Sequence, residues 1–450
     1  MDNLRRSTVL RLVKVLNAVL VTIPFGVCWY MAYAQNLAEP FFRKGNWLII
    51  ALFFVLYITY GRIYEAFRVS LSRISELIGS QLLALLISDG IIYAITWLLM
   101  KTFPPVLPLL GTFVVQLLLA SLWCVTAHKW YFRTHKAKKT AVIYDMLEGL
   151  EQLISEYGLE AKFNVTSIAG ITAALDNQLK ILDGVDVVFL CGIHSRERNI
   201  ILKQCVARGI QVYLIPRIGD VLMSSAERMH MFHLPMLRVK RYDPNPEYLF
   251  VKRAFDIVVS GLALLVFSPV MLVVGIAIKA TDGGPAFYKQ CRLTKDGKKF
   301  DVLKFRSMRV DAEKDGVARL STGEKDDRIT PIGRFIRKCR LDELPQLINI
   351  FKGEMTIVGP RPERPEIAAQ YEKDLPEFAL RLQAKAGLTG YAQVYGKYNT
   401  TPYDKLQMDL MYIANPSFTE DLKIMFATVK ILFVPDSTEG VAQGQQTAAK

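Results

Sequence analysis

"VKRAFDIVVSGLALLVFSPVMLVVGIAIKATDGG", residues 251–284, decides the fold, because it determines on which side of a membrane everything after it lies. Ile257 to Ile278 is a run of 22 uncharged residues. As a straight helix it would reach about 33 Å, enough to cross a bilayer. Two features argue against crossing. Lys252 and Arg253 precede the run and Lys279, Lys289 and Arg292 follow it, and the positive-inside rule then puts both ends in the cytoplasm. In its middle sits Ser268-Pro269. Proline removes a backbone donor and clashes with the preceding turn, so the helix should break there, with the serine hydroxyl satisfying a freed carbonyl. A re-entrant helix over 257–278 that dips in and returns fits both facts. The alternative is a kinked spanning helix that carries the rest of the chain across.

Upstream, four nearly uncharged stretches at about 15–38, 45–61, 77–100 and 102–127 have the length of bilayer-spanning helices. The first has the basic start of a signal peptide, but its apolar core is too long and "YAQ" is a poor cleavage site, so it is expected to be retained. Basic residues concentrate before the first span (Arg5, Arg6, Arg11, Lys14), after the second (Arg62, Arg68, Arg73) and after the fourth (Lys129, Arg133, Lys136, Lys138, Lys139). This charge distribution predicts a cytoplasmic N-terminus, second loop and remainder. Asp89 lies inside the third span, where an ionisable group is costly. It serves either a structural hydrogen bond or a function.

The whole chain agrees with this division. Of its 450 residues 51% are apolar, too many for a purely soluble protein, and a net charge of +14 suits an anionic partner: phospholipid, phosphorylated substrate or nucleic acid. The six cysteines lack metal-type spacing and read as free thiols. From residue 140 the period changes. "TAVIY", "KFNVTSIAG", "DVVFLCG" and "QVYLIP" read as strands, with helices near 147–157, 171–181 and 195–208 between them, which predicts a small parallel α/β sheet. A dinucleotide site would need a glycine-rich turn after the first strand, whereas "DMLEGLEQL" offers one glycine and two glutamates. This module is therefore expected to be structural or regulatory.

The last third carries the candidate chemistry. In "FDVLKFRSM" Leu303 and Phe305 share one face of a strand and Lys304 and Arg306 the other, which is either a solvated face or an anion site. "VGPRPERP" sets Arg361 between two prolines, either as a plain loop or as a stiff frame presenting a guanidinium to phosphate. Between them lies "RLDELPQL". Asp342 there could be the N-cap of a helix "ELPQLINIF", with Glu343 in its first turn. It could also be a carboxylate that attacks phosphorus, beside a partner that helps hold a divalent cation.

"KRAFDIVVSGLALLVFSPVM", "KFRSM", "RITPIGRFIRKCRLDELPQLINIFKGEMTIVGPRP" and "AGLTGYAQVYG", taken in order, resemble the bacterial sugar transferase family of monotopic polyprenyl-phosphate phosphoglycosyl transferases. The resemblance covers about residues 250–435. The four spans and the α/β module ahead of it resemble the large members that initiate exopolysaccharide or O-antigen synthesis. It implies transfer of a sugar-1-phosphate from a UDP-sugar to undecaprenyl phosphate, with release of UMP through an aspartyl-phosphosugar. Asp342 then matches the nucleophile of an Asp-Glu dyad, and Asp342 and Glu343 match the ligands of a Mg2+ on the diphosphate. Lys304, Arg306 and Arg361 match substrate-binding positions, Asp409 in "QMDLMY" a later substrate-binding aspartate, and Ser268 and Pro269 the re-entrant break.

The expected fold is thus an α plus α/β membrane protein. It comprises a four-helix transmembrane bundle (1–135), a Rossmann-like parallel α/β domain without the glycine fingerprint (138–240), a mostly helical catalytic domain with the re-entrant helix (250–435) and a flexible tail (436–450). The implied place is the bacterial inner membrane, with soluble domains on the cytoplasmic side. The implied partners are a UDP-sugar, undecaprenyl phosphate and inner-membrane phospholipid, with a homodimer as a further candidate. Nucleic acid has no motif behind it. A non-enzymatic scaffold or sensor with an inactive transferase domain is the rival reading, and the intact Asp342-Glu343, Lys304, Arg306 and Arg361 argue against it. A transporter, suggested by the spans and Asp89, lacks an inverted repeat.

Overall fold

The structure, a computed structural model, describes residues 2–41, 44–145, 150, 154–155, 158–310, 328–396 and 400–431. It divides into two compact units, 1–215 and 216–450. In the first, α1 (Asp2–Cys28) runs into a π-helical turn (Trp29–Tyr33), followed by α2 (Gly45–Ile63), α3 (Ile74–Met100) and α4 (Val106–Thr134). Helix α1 packs against α2 and α4, and α3 against α2 and α4. Polar side chains are turned inward: Asn17, Tyr57 and Gln81 form a buried group, in which the Tyr57 hydroxyl donates to Asn17 Oδ1 at 2.6 Å and Gln81 Nε2 donates to the Ala66 carbonyl at 3.0 Å. Of the two roles weighed for Asp89, the structural hydrogen bond is not found among the described residues. The residue is buried, and neither carboxyl oxygen has a hydrogen-bond partner among the described residues.

The four predicted strands all form: β1 (Lys138–Tyr144), β2 (Phe163–Gly170), β3 (Val187–Cys191) and β4 (Gln211–Leu214), parallel, in the order β2-β1-β3-β4. Thr140 to Ile143 of central β1 are buried without interruption, as expected of a parallel strand covered on both faces. Helices α5 (Ile171–Asp176) and α6 (Ser195–Ala207) follow β2 and β3. The helix expected near 147–157 lies mostly outside the described residues, as does the tail 436–450.

The second unit opens with α7 (Ile218–Ser224) and a hairpin, β5 (Glu227–Met231) and β6 (Leu234–Arg238). The parallel sheet ends at Leu214, next to the division between the two units. Next comes α8 (Pro246–Asp282), a single helical element of 37 residues. The expected break into two helices at Ser268-Pro269 is absent from its secondary structure. The reason is local: Pro269 cannot donate to the Leu265 carbonyl four residues back, and the Ser268 hydroxyl donates to that oxygen at 2.8 Å.

Burial along α8 is uneven. At its start the Lys252 ammonium meets Asp421 at 2.7 Å, Arg253 donates to the Ile350 and Phe351 carbonyls at 2.8 Å each, and the Asp256 carboxylate accepts from Thr356 Oγ1 at 2.7 Å and Ile357 N at 3.0 Å. Near its end Val274 and Ile278 are buried with Phe305 and Ile336. Between these anchors Leu265, Val266, Leu272 and Val273 are 66–73% exposed. Both ends thus pack on one unit while the apolar middle faces outward. Among the described residues α8 and the four N-terminal helices are, by length and composition, the five that could cross a membrane.

The remaining elements are β7 (Phe287–Leu293) antiparallel to β8 (Lys299–Phe305), α9 (Pro331–Lys338), α10 (Gln346–Lys352), β9 (Thr356–Val358), α11 (Pro365–Asp374), β10 (Gly387–Thr389) parallel to β9, α12 (Tyr391–Tyr395), α13 (Pro402–Ala414) and α14 (Phe418–Ile431). Among the described residues none of the six cysteines is in a disulfide, and Cys291 and Cys339 are exposed.

Candidate active site

Asp342 and Glu343 lie in a short 3-10 turn, Leu341–Glu343, between α9 and α10. Arg340 enters the turn with φ 53°, left-handed backbone that a non-glycine residue adopts only when its surroundings hold it there. Those surroundings are apolar: Leu341 and Leu344 pack into the cluster of Val274, Ile278, Phe305 and Ile336. The turn is thus fixed against the C-terminal half of α8. The capping role weighed for Asp342 is excluded. The residue at the N-cap of α10 is Pro345, with no side-chain cap, and Asp342 sits one turn earlier.

The two carboxylates differ in company. Oε1 of Glu343 accepts from Arg361 Nη2 at 2.7 Å and lies 3.3 Å from Lys304 Nζ. Burial works to raise the Glu343 carboxyl, but the Arg361 and Lys304 cations outweigh it and hold the group well below the usual carboxylate range. Asp342 has no hydrogen bond or ion pair among the described residues. Burial, then the charge of Glu343, pushes its carboxyl up, and Lys304, Arg337 and Arg361 offset this in part. One member of the pair is an ionised anchor and the other an open carboxylate.

Lys304 is on β8 and its side chain is only 21% exposed, so the solvated-face reading fails for it. Arg306, just past the strand, is also buried and packs its guanidinium against Gly284. Arg361 is held by the extended "GPRP" segment after β9. Gly359 there touches the backbone of Gly387, so closely that a Cβ on Gly387 would overlap backbone atoms. Gly387→Ala is expected to cost at least about 1–3 kcal/mol, as overpacking does where nothing can move aside. A thermal melt in detergent would read this, and an unchanged melting point would contradict the packing.

Asp409 is not at the dyad. It is 1% exposed, and its Oδ2 lies 2.6 Å from Nη2 and 2.8 Å from Nε of Arg381. A substrate contact by Asp409 would have to reach a buried carboxylate whose Oδ2 is already paired with Arg381. Sequence reading missed Arg381, Glu363, Lys405 and Arg292. Glu363 lies 3.6 Å from Arg381 and 3.7 Å from Arg292, and pairs with Lys405. Burial raises its carboxyl, but Lys405, Arg381 and Arg292 bring it down to about 2. The available signal was Glu363 itself, an acid in a proline-framed basic stretch.

Among the described residues no group of three or more His, Cys, Asp or Glu could hold a metal ion. Magnesium does not require one, since it is often held by one or two carboxylates plus substrate phosphates. Asp342 has no hydrogen bond among the described residues, and both described contacts of Glu343 fall on Oε1. The donor set therefore fits that mode of binding.

The family described as "Bacterial sugar transferase" matches residues 247–435. The UDP-N-acetylgalactosamine-undecaprenyl-phosphate N-acetylgalactosaminephosphotransferase of Aeromonas hydrophila is 36% identical over 234 residues, 51% of this chain and 54% of that protein. The undecaprenyl-phosphate galactose phosphotransferase of Salmonella typhimurium is 38% identical over 241 residues, 50% of each chain. The UDP-glucose:undecaprenyl-phosphate glucose-1-phosphate transferase of Caulobacter vibrioides is 39% identical over 191 residues, 41% of this chain and 71% of that protein. The chain spans about half the length of most of these relatives. With five helices of membrane-spanning length among the described residues, and a relative 39% identical of which it covers 71%, it is a membrane-associated protein that belongs to the bacterial sugar transferase family.

Proposed function

We propose that the protein transfers a sugar-1-phosphate from a UDP-sugar to undecaprenyl phosphate, in the first membrane step of a polysaccharide pathway. The observation that carries this reading is the asymmetry of the dyad: an open, half-buried Asp342 beside a Glu343 locked by Lys304 and Arg361. An oxygen of Asp342 attacks the sugar-linked phosphorus, the bond from that phosphorus to the UMP oxygen breaks, and UMP leaves with the bonding electrons. An oxygen of the lipid phosphate then attacks the same phosphorus, and the acyl-phosphate bond breaks to restore the carboxylate. Lys304 and Arg361 lower the local negative charge that would otherwise repel a diphosphate. A magnesium ion on Asp342 and Glu343 would add Lewis-acid neutralisation of the phosphates.

The three relatives named above carry three different sugars in their names, so the family does not choose the donor. Purified protein given UDP-glucose, UDP-galactose and UDP-N-acetylgalactosamine in turn, with undecaprenyl phosphate and Mg2+, should release UMP with at least one. Silence with a broad UDP-sugar panel would leave the inactive-scaffold reading standing.

The proposed setting follows from charge and from α8. The four N-terminal helices form a transmembrane bundle, and the loops richest in Lys and Arg face the cytoplasm of an inner membrane. Both ends of α8 stay on the cytoplasmic side, because polar anchors at Arg253 and Asp256 and apolar anchors at Val274 and Ile278 all belong to one unit. Cysteines placed at Glu247 and Thr281 in a background without the native thiols should label from the same side. Labelling from opposite sides would end this topology.

A further inference from the structure

The segment that presents Arg361 has no carbonyl left to itself. The Pro360 oxygen accepts from Gly387 N at 2.9 Å, Arg361 from Arg381 Nη2 at 2.8 Å, Pro362 from Arg292 Nη1 at 3.0 Å and Glu363 from Leu293 N at 2.9 Å. Proline fixes φ at 360 and 362 and restricts Arg361 before it, so the freedom that remains is rotation of the peptide planes. Carbonyl clamps remove that freedom. Two of the four clamps are arginine side chains, and neither touches the dyad directly. Arg381 is the more constrained. It is 2% exposed, its Nε and Nη2 are taken by Asp409, its Nη1 faces Glu363, and it stacks over the Phe378 ring at 4.9 Å.

We propose that Arg381 is a positioning residue for the transfer reaction, aiming Arg361 at Glu343 through the Arg361 carbonyl, and that Asp409 acts by orienting Arg381 and not by touching substrate. The planar guanidinium suits this because one face of its fork serves the carboxylate while Nη2 also reaches the carbonyl. A lysine could carry the charge but could not span both partners. Glu363 reinforces the arrangement by pairing with Arg292 and Arg381, the two clamps, together with Lys405.

This inference rests on the transferase reading, and its test separates the two. The full chain in detergent is assayed for UMP release as Arg381→Lys, Asp409→Asn and the double variant Arg381→Met with Asp409→Leu, which buries no lone charge if the single changes fail to fold. Folded variants are expected to lose at least tenfold in kcat with KM for the UDP-sugar within about threefold, because the donor still meets Lys304 and Arg361 while the pair is misaligned. A merely structural role would instead lower the amount of folded protein and leave kcat per folded molecule unchanged, overturning the proposal. A KM increase with kcat intact for Asp409→Asn would restore substrate contact to Asp409 and also overturn it.

A second readout does not require turnover. Phenylglyoxal modification of Arg361, followed by peptide mass spectrometry, should accelerate severalfold in the folded double variant once the Arg361 carbonyl is released. An unchanged labelling rate refutes the clamp whether or not the wild type is active. If labelling accelerates but the wild type turns over no UDP-sugar, the transferase reading fails and the positioning geometry survives it.

Discussion

Asp342→Asn is expected to lower UMP release by more than about a thousandfold, the scale seen when a covalent nucleophile is removed, while the folded protein survives. The fold should hold because Asp342 caps no helix and has no ion pair among the described residues to lose. Electrostatics point the same way. Folding raises the Asp342 carboxyl above its unfolded value, so holding it charged opposes folding at every pH above the ordinary value of about 3.9. Replacing it by a neutral isostere removes that opposition, and the melting temperature at neutral pH should stay level or rise. The same variant should show no phosphosugar adduct by intact-protein mass spectrometry, whereas quenched wild type given UDP-sugar without lipid acceptor should carry one per chain. An Asn variant that melts early yet turns over would return the residue to a structural role. Wild type that turns over rapidly without any adduct would favour direct transfer.

How much of this was legible in the sequence depended on whether the signal was local. The four N-terminal helices and four parallel strands were readable because apolar runs and strand alternation are properties of neighbouring residues. Pro269 was read correctly as a lost donor, yet the helix continues, because one serine hydroxyl supplies the missing bond without ending the element. Asp342 was the sharpest case. Its sequence fits a helix N-cap, and only the 3-10 turn entered through Arg340 moves it off that position. Lys304, Glu343 and Arg361 were named from pattern, but their meeting at one oxygen joins β8, the turn and the proline frame and could not be read from spacing. Arg381 was invisible for the same reason. A buried arginine leaves no periodic trace, and its partners lie 18 to 28 residues away.

Glu343→Gln should be nearly as damaging as loss of the nucleophile, with a different signature in pH. The carboxylate collects both Lys304 and Arg361 on Oε1, and an amide oxygen attracts them less, so both cations lose the anchor that aims them. A drop in kcat of about a hundredfold or more is expected, comparable to removing one preorganised electrostatic partner. The sign of the pH effect follows from the neighbours. In wild type the Glu343 charge helps raise Asp342, and the proposed attack needs Asp342 ionised, so the acid limb of the rate profile should lie above the ordinary aspartate range. Glutamine removes that negative neighbour and leaves Lys304, Arg337 and Arg361 in place, all of which lower the Asp342 pKa. The residual activity should therefore have its acid limb at lower pH than wild type. Stability should respond in the opposite sense at the acid end. Glu343 is held below its unfolded value, so the stability it contributes is present above about pH 4.3 and lost as pH falls towards its folded value. The Gln variant lacks that term and should melt lower than wild type at neutral pH, with the gap closing on acidification. A rate profile whose acid limb moves upward would show that Glu343 does not act on Asp342 through its charge.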